Sequence, residues 1–399
     1  MRRTPPRRLL AVALLAASLL SPLVAAPATA QPAPAAVHQV KAHCPPGGLG
    51  HELTARLDKA IADVRREAGI PGLTVGLWMP GKGSYVRSTG VADKVTGAPM
   101  RPDLHARIGS ETKTFTVTAL LQLVDEGRVR LDDPIAKYIR GVPDGRRITL
   151  RHLAEMRSGL FSYTEDDDFV QALLSDPRRP YTPRELLSYA FKHPNNAPPN
   201  TTFEYSNTNI VLLGLVIEKV TGRHLADVIH RRVLRPAGMH RTLFPHGAEF
   251  PEPHARGYTN QTLSGEVEDA TDWNPSWAWA AGAMISDLQD LRRWAPILAT
   301  GKLLSPETQK QRLKTLPTGH PGTSYGLGIV NSGGWIGHNG SLPGYETVTV
   351  YLPSKKATLV LIMNTDVLHE GQEPSSLVAR AITEIVTPKN IYDRPAPLN

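Results

Sequence analysis

A serine and a lysine stand together at the start of a long apolar segment of the sequence. Ser110 and Lys113 lie three positions apart in "GSETK", and the residues from Phe115 to Val124 leave little room for a polar face, which predicts a buried helix. As a helix N-cap, Ser110 would normally be followed three residues later by Glu or Gln, and the helix dipole disfavours a lysine there. On one face of a buried helix, desolvation and the dipole should lower the pKa of the lysine. A neutral amine beside a hydroxyl would pair a general base with a nucleophile.

A proton shuttle between nucleophile and leaving group would need a further side chain, and two Tyr-x-Asn sequences are candidates. Tyr205 and Asn207 lie in "YSN", in a loop that precedes a predicted buried helix and so could hold a phenol at a cleft wall. Tyr258 lies in "YTN", in a stretch rich in Pro, His and Gly without an apolar segment directly behind it. Either tyrosine alone suits an ordinary surface position, but the context favours Tyr205.

A third candidate segment, "GHNGSLPGY", covers residues 337–345 on or beside a predicted strand. Gly340 would let a substrate or another backbone approach closely, and the backbone N–H of Ser341 could face an oxyanion. Taken alone, His338 is more typical of a partly buried histidine. Combined with the serine, lysine and tyrosine, it becomes a candidate site residue.

The first 30 residues have the pattern of a secretory signal. Four arginines precede an apolar run over residues 9–20, and "APATA" ends at Ala30, which predicts cleavage after that residue. The run is too short to span a bilayer comfortably and no second long apolar run follows, so we expect a secreted or cell-wall-associated protein without a stable membrane anchor. Residues 31–50 read as a flexible leader.

Charge and cysteine content exclude some classes of function. The formal charge of +8 falls to +4 when the four signal arginines are removed, and the remaining basic residues are dispersed, so nucleic acid is not an expected partner. Cys44 is the only cysteine, which precludes an internal disulfide, and its Pro/Gly-rich surroundings argue against a thiol nucleophile. The histidines form neither HExxH nor a Cys/His cluster, so no metal or other cofactor is expected.

The order of predicted elements indicates the fold class. A helix over residues 53–67 and a hairpin over residues 72–92 come first, helical patterns dominate from about 110 to 298, and strands and a helix over 375–385 follow. This order predicts an α/β (α+β) domain over residues 51–386, in which an antiparallel sheet is flanked by terminal helices and carries an inserted all-helical lobe. Residues 387–399 form a C-terminal tail. A cleft between sheet and lobe is the expected place for chemistry.

The series SxxK, YxN and HxG, in this order, resembles that of the serine penicillin-recognising hydrolases. Segments such as "ITLRHLAEMRSGLFSYT", "SWAWAAGAMIS" and "SYGLGI" extend the resemblance over about residues 55–385. The branch that holds class C β-lactamases, DD-peptidases, D-aminopeptidases and related esterases is the most similar. With His338 in place of the lysine usual in β-lactamases, the sequence looks closest to D-alanyl-D-alanine carboxypeptidases of the Streptomyces type.

The resemblance implies a role for each candidate residue. Ser110 would be the acylated nucleophile and Lys113 or Tyr205 the base that activates it. Tyr205 would protonate the leaving nitrogen and later activate water, supported by Asn207 and held electrostatically by His338. The backbone amides of Ser110 and Ser341 would form the oxyanion hole, and Trp277 would line the cleft.

The function implied is an exported serine hydrolase that cleaves D-amino-acid peptide bonds through an acyl-enzyme, foremost a D-alanyl-D-alanine carboxypeptidase. Its partners would be a small-molecule or peptide substrate such as a peptidoglycan stem peptide, and β-lactams as acylating ligands. An esterase, a D-aminopeptidase or a class C-like β-lactamase could use the same residues. The alternative from another class is a catalytically silent penicillin-binding or wall-binding protein.

One departure from the carboxypeptidase pattern concerns substrate binding. Val330 stands where that pattern has a cation for the substrate's terminal carboxylate, and neither Lys nor Arg occurs from Thr315 to Ser354. Either a cation from the helical lobe, such as Arg157, takes this role, or the carboxylate is not required.

Overall fold

The computed structural model describes residues 48–393. The predicted signal peptide lies outside the described residues, as do nearly all of the leader and the last six residues of the tail. No helix in the described part of the chain is long and apolar enough to cross a membrane.

Twelve strands are present in the described residues. In chain order they are β1 Gly72–Met79, β2 Gly83–Gly90, β3 Ala106–Arg107, β4 Tyr258–Thr259, β5 Glu268–Asp269, β6 Ile285–Ser286, β7 Leu316–Pro317, β8 Thr323–Tyr325, β9 Val330–Ser332, β10 Trp335–Leu342, β11 Tyr345–Leu352 and β12 Ala357–Met363.

The same residues form twelve α-helices. These are α1 His51–Glu67, α2 Thr112–Asp125, α3 Leu150–Ala154, α4 Asp167–Ser175, α5 Pro183–Ala190, α6 Asn207–Thr221, α7 Leu225–Ile229, α8 Arg235–Ala237, α9 Trp279–Gly282, α10 Leu288–Thr300, α11 Pro306–Arg312 and α12 Pro374–Val386.

Eight of the strands form one antiparallel sheet in the order β2-β1-β12-β11-β10-β9-β8-β7. The pairing of β1 with β12 joins the N-terminal hairpin to the C-terminal strands, although more than 260 residues separate them along the chain. The predicted fold class is therefore confirmed: the sheet contains both ends of the domain, and the helical region is inserted between them.

Both faces of the central sheet are buried, which explains the almost continuous apolar sequences of β1 and β12. Helices α1 and α12 cover one face, where Val348 and Val350 of β11 join their core. The other face packs against the helical region, of which α10 lies directly on β11 and β12. Since successive residues of a strand point to opposite faces, Thr347 and Thr349 of β11 lie on the side of the helical region.

Two helices position the candidate catalytic residues. In α2, 11 of the 14 residues are buried, as the apolar sequence predicted. Helix α6 begins at Asn207 and ends at Thr221, and the following Gly222, with a φ of 68°, forms the left-handed cap that glycine favours. Ser110 is not the N-cap of α2, because a 3₁₀ turn over Gly109–Glu111 precedes the helix and places Glu111 at the cap position.

Candidate active site

Ser110 and Lys113 are in hydrogen-bond contact. Lys113 Nζ lies 2.8 Å from Ser110 Oγ and donates to the carbonyl oxygen of Ala281 at 2.8 Å. The lysine is fully buried, and neither of these two partners is an acid. Burial alone therefore lowers the pKa of Lys113 well below its ordinary value. This is the direction expected from the sequence, with desolvation rather than the helix dipole as the cause, and a neutral Lys113 amine can take the proton of Ser110.

The position of the lysine follows from the packing of α2 on α9. Thr116 Oγ1 donates to the carbonyl oxygen of Ala280 at 2.8 Å, and Thr112 Oγ1 accepts from the backbone N–H of Met284 at 3.1 Å. These buried hydrogen bonds fix the first turn of α2 against the chain around α9, with the Lys113 amine directed at the carbonyl of Ala281.

Tyr205 lies just ahead of α6, at the wall of the cleft. Its ring centroid is 4.9 Å from Lys113 Nζ and 6.3 Å from the imidazole centroid of His338. The structure thus brings together the serine, lysine, tyrosine and histidine that the sequence selected from separate segments.

His338 is held in one orientation by both ring nitrogens. It is 1% exposed, with Nδ1 at 2.5 Å from the carbonyl oxygen of Asn339 and Nε2 at 3.1 Å from the hydroxyl of Tyr325. Because a carbonyl oxygen can only accept, Nδ1 carries a proton, and in the neutral ring Nε2 accepts from Tyr325. Tyr325 lies in the segment "SYGLGI", and its role as the partner of His338 was not predicted from the sequence.

The outer edge of β10 faces the nucleophile. Strand β9 pairs with β10 only over Trp335–Gly337, so residues 338–342 are not covered by β9. A Cβ added to Gly340 would lie 1.9 Å from the carbonyl oxygen of Ile108, and one added to Gly109 would lie 2.7 Å from Ser341 N. Gly340 therefore permits the close approach of another backbone, and this approach places Ser341 beside the turn that holds Ser110. Two amides near each other at such a place suit a developing oxyanion.

A cavity of about 360 Å³ opens at Ser110. Asn207, Trp277 and Ser341 line it with Tyr205, and for Trp277 the resemblance had implied this position. Its walls are mostly apolar, from Phe169, Val170, Leu173, Leu174, Trp277, Leu342 and Pro343. Of the described residues lining the cavity, Glu165 is the one with a charged side chain, and none is Lys or Arg.

Two positions bear on the binding of a substrate carboxylate: Val330, which stands where the carboxypeptidase pattern has a cation, and Arg157. Neither lines the cavity. Val330 is 1% exposed and lies in β9, where it pairs with Gly337 and Tyr325. Arg157 donates to the carbonyl oxygen of Pro317 at 2.8 Å and is not part of the cavity lining. The suggestion that Arg157 replaces the missing cation is therefore wrong for this arrangement.

Tyr258 is held more firmly than its sequence context predicts. We expected its position to be poorly fixed, but Tyr258 is 5% exposed in β4, and its hydroxyl accepts from the backbone N–H of Lys94 at 2.7 Å. Pairing with β5 and this hydrogen bond hold it in place. It does not line the cavity, so the preference for Tyr205 remains.

Glu165 and Gln261 line the cavity and were missed by the sequence analysis. Glu165 follows "SGLFSYT" and Gln261 follows "YTN", so both lie beside segments that had been singled out. Partial burial and, secondarily, the nearby Glu204 raise the pKa of Glu165. In the described part of the chain, no group of three or more His, Cys, Asp or Glu side chains is arranged to hold a metal ion.

The β-lactamase family model matches residues 57–382, and the chain belongs to this family. It is 25% identical over 315 residues to the putative penicillin-binding protein PbpX of Bacillus subtilis, covering 78% of this chain and 75% of that protein. A serine hydrolase of the β-lactamase family is thus the class that the fold and site define.

Two similar solved structures belong to amide hydrolases. The D-stereospecific amidohydrolase from Streptomyces sp. superposes with a TM-score of 0.75 at 31% identity, covering 84% of this chain and 99% of that one. The D-amino acid amidase from Ochrobactrum anthropi SV3 complexed with D-phenylalanine gives 0.73 at 28% identity, with the same coverage.

Proposed function

We propose that this protein is a serine amidohydrolase that cleaves the amide or peptide bond after a D-amino acid with a free amino group and an apolar side chain. The observation that carries the proposal is the charge of the cavity, in which Glu165 is the charged side chain among the described lining residues. An acid there attracts an ammonium group and repels a carboxylate. The two similar structures, a D-stereospecific amidohydrolase and a D-amino acid amidase, support the preference for a D-amino acid.

The apolar wall supports the second part of the proposal. Phe169, Val170, Leu173 and Leu174 belong to α4 and face the cavity together with Trp277. A hydrophobic side chain of the substrate gains free energy in contact with such a surface, at about 25 cal/mol per Å² of buried apolar area. The sequence alone favoured a D-alanyl-D-alanine carboxypeptidase, whereas the cavity favours the D-aminopeptidase alternative.

The chemistry proceeds through an acyl-enzyme. Ser110 Oγ attacks the substrate carbonyl while its proton passes to Lys113, and the backbone amides of Ser110 and Ser341 donate hydrogen bonds to the developing oxyanion. Tyr205 donates its phenolic proton to the leaving nitrogen, which departs as ammonia or an amine. Water then attacks the ester and gives a proton to the Tyr205 phenolate, and the Lys113 ammonium returns its proton to Ser110 Oγ as the acid is released. The predicted signal peptide supports a reaction outside the cell, where β-lactams would acylate the same serine.

A D-alanyl-D-alanine carboxypeptidase remains the second candidate. It is favoured by His338 in the HxG segment and by the similarity to PbpX. Its substrate carries a terminal carboxylate and an acylated amine, so it differs from the first candidate in the sign of the charge that the cavity must bind.

The test compares kcat/KM for four substrates. They are D-phenylalanine 4-nitroanilide, its L isomer, 3-phenylpropanoyl 4-nitroanilide, which lacks the amine, and an acetylated D-alanyl-D-alanine peptide. We expect kcat/KM for D-phenylalanine 4-nitroanilide to exceed that for the substrate without the amine by at least about 30-fold, equivalent to roughly 2 kcal/mol. Glu165→Gln should reduce that ratio to below about fivefold. If the acetylated D-alanyl-D-alanine peptide is hydrolysed faster than D-phenylalanine 4-nitroanilide, the proposal is overturned in favour of a D-alanyl-D-alanine carboxypeptidase.

A further inference from the structure

A buried carboxylate joins three segments at one wall of the cavity. Asp366 follows β12 and is 3% exposed. Its Oδ1 accepts from the backbone N–H of Gly344 at 2.8 Å, in the turn between β10 and β11. Its Oδ2 accepts from Thr259 Oγ1 at 3.0 Å and from Gln261 Nε2. The loop after β12, the β10–β11 turn and the β4–β5 hairpin therefore meet at a single side chain.

The hydrogen bond from Gln261 determines which end of its amide faces the cavity. A carboxylate can only accept, so the Nε2 group of Gln261 must point to Asp366. Gln261 lines the cavity, and because its Nε2 group is bonded to Asp366, the carbonyl oxygen Oε1 is the polar atom that it can offer to a ligand there. Burial raises the pKa of Asp366 to about 6, so at pH 7.5 the carboxylate is ionised and keeps this orientation.

The amide side chain of Asn207, which also lines the cavity, is oriented by a hydrogen bond in the same way. Asn207 Nδ2 donates to Thr164 Oγ1 at 3.2 Å, which leaves its Oδ1 as the free end. With Glu165, the polar side chains of Asn207 and Gln261 give the cavity three groups that accept hydrogen bonds. A ligand that matches them must donate, and an ammonium group has three N–H donors.

We infer that Gln261 is a specificity-determining residue whose carbonyl oxygen, oriented by Asp366, accepts a hydrogen bond from the ammonium group of the substrate. Asp366 is a positioning residue, since it acts through Gln261. The inference rests on the proposed function and adds a contact to it that is separate from Glu165.

Asp366→Asn should reverse the polarity of this contact. The introduced amide would have to keep its oxygen toward the buried N–H of Gly344, because a buried backbone donor without a hydrogen-bond partner is destabilising. Its NH₂ would then face Gln261, which would turn to offer Oε1 and would present its own NH₂ to the cavity. Gln261→Met removes the amide at a solvent-exposed position, while Asp366 keeps its hydrogen bonds from Gly344 and Thr259.

The readout is the ratio of kcat/KM for D-phenylalanine 4-nitroanilide to that for 3-phenylpropanoyl 4-nitroanilide, which lacks only the amine. A general structural lesion lowers both values and leaves the ratio unchanged. We expect Gln261→Met to lower the ratio about fivefold and Asp366→Asn to lower it at least tenfold. The control Glu268→Gln, which removes an exposed carboxylate from β5 of the same hairpin, should leave the ratio within twofold of wild type.

An unchanged ratio in Gln261→Met overturns the inference, and this variant decides alone if Asp366→Asn does not fold. Glu165→Gln, measured in parallel, separates the two proposals. A ratio that falls in Glu165→Gln but not in the Gln261 variant leaves the proposed function standing without this contact. A wild-type ratio near one rejects the proposed function itself.

Discussion

The proposed role of Lys113 as a base depends on where its amine lies. A fully buried lysine without an acid among its two hydrogen-bond partners is more stable neutral than charged. The unfolded chain keeps the lysine charged at neutral pH, so the free energy needed to deprotonate it lowers the free energy of unfolding. The catalytic arrangement therefore lowers the stability of the fold at the same residue.

Lys113→Met should consequently stabilise the protein while abolishing acylation. Between the lowered pKa of the folded state and the ordinary value of 10.5, the unfolded state binds one more proton than the folded state, so wild-type stability rises with pH. The advantage of Lys113→Met should shrink by up to about 1.4 kcal/mol per pH unit across this window. Urea unfolding of both proteins from about pH 7 to 10 measures it, and a constant difference would mean that the lysine is charged in the fold.

The two tyrosines should respond differently to removal of their hydroxyl groups. Tyr205→Phe should reduce kcat by about 10²- to 10⁴-fold because it removes the proposed proton shuttle. Tyr258→Phe removes only the acceptor for the Lys94 N–H, so we expect a stability loss of about 1 kcal/mol and kcat within twofold of wild type. Equal losses of kcat in both variants would show that the tyrosine was misassigned.

At this scale the sequence predicts residues whose roles depend on local spacing. Ser110 and Lys113 could be predicted from the sequence, because a three-residue interval puts them on one face of a helix. Gln261 is not readable, because its orientation depends on Asp366, which lies 105 residues away in the chain. The placement of Arg157 failed for the same reason, since its partner is a carbonyl 160 residues away.

At the scale of elements, strand β10 positions the oxyanion site through its contact with the turn around Ser110. The contact has no room for a side chain at Gly340, where a Cβ would meet the Ile108 carbonyl at 1.9 Å and Thr347 Oγ1 at 2.9 Å. Both neighbours are held by their own strands or turns, so β10 and the nucleophile would have to move apart.

Gly340→Ala should therefore lower kcat/KM by at least about 100-fold, because a displacement near 1 Å at a reacting centre has effects of that size. Gly50→Ala is the matched control: nothing lies within 4 Å of the Cβ it would add, and we expect wild-type kinetics. Circular dichroism of both variants verifies the fold. Normal activity in Gly340→Ala would show that the close backbone contact is not needed for catalysis.

The long elements were predictable and the short strands were not. The hairpin of β1 and β2, helix α1 and the glycine end of α6 all follow from patterns within 8 to 17 residues. Strands β3 to β6 have two residues each, which is too short for alternation to appear. Their partners come from distant segments, as when β3 pairs with β6.

At the scale of the whole molecule, the site lies where the sheet meets the helical region, and a second titratable group is buried there. Glu111 is 1% exposed, directly after the nucleophile, and lies near Thr347 and Thr349 of β11. Burial raises its pKa to about 8, so the side chain is largely protonated at neutral pH. The pH dependence that it gives to global stability is opposite in sign to that of Lys113.

Glu111→Gln should reveal this effect in the unfolding free energy. Between the ordinary value of 4.5 and the folded value of about 8, the folded state binds one more proton than the unfolded state. The stabilisation is complete below pH 4.5 and is lost as the pH rises to about 8. Relative to Glu111→Gln, the wild type should lose up to about 1.4 kcal/mol per pH unit over this range. Parallel stability curves would indicate that Glu111 is ionised in the fold.

The measurement that tests the central claim most directly is the mass of the acyl-enzyme. Tyr205→Phe is mixed with a D-phenylalanine ester and quenched, because slow deacylation in this variant should let the adduct accumulate. We predict an added D-phenylalanyl group on the intact protein, mapped by peptide analysis to Ser110, and none in Ser110→Ala. An adduct on another residue, or hydrolysis by Ser110→Ala at the wild-type rate, would contradict the account.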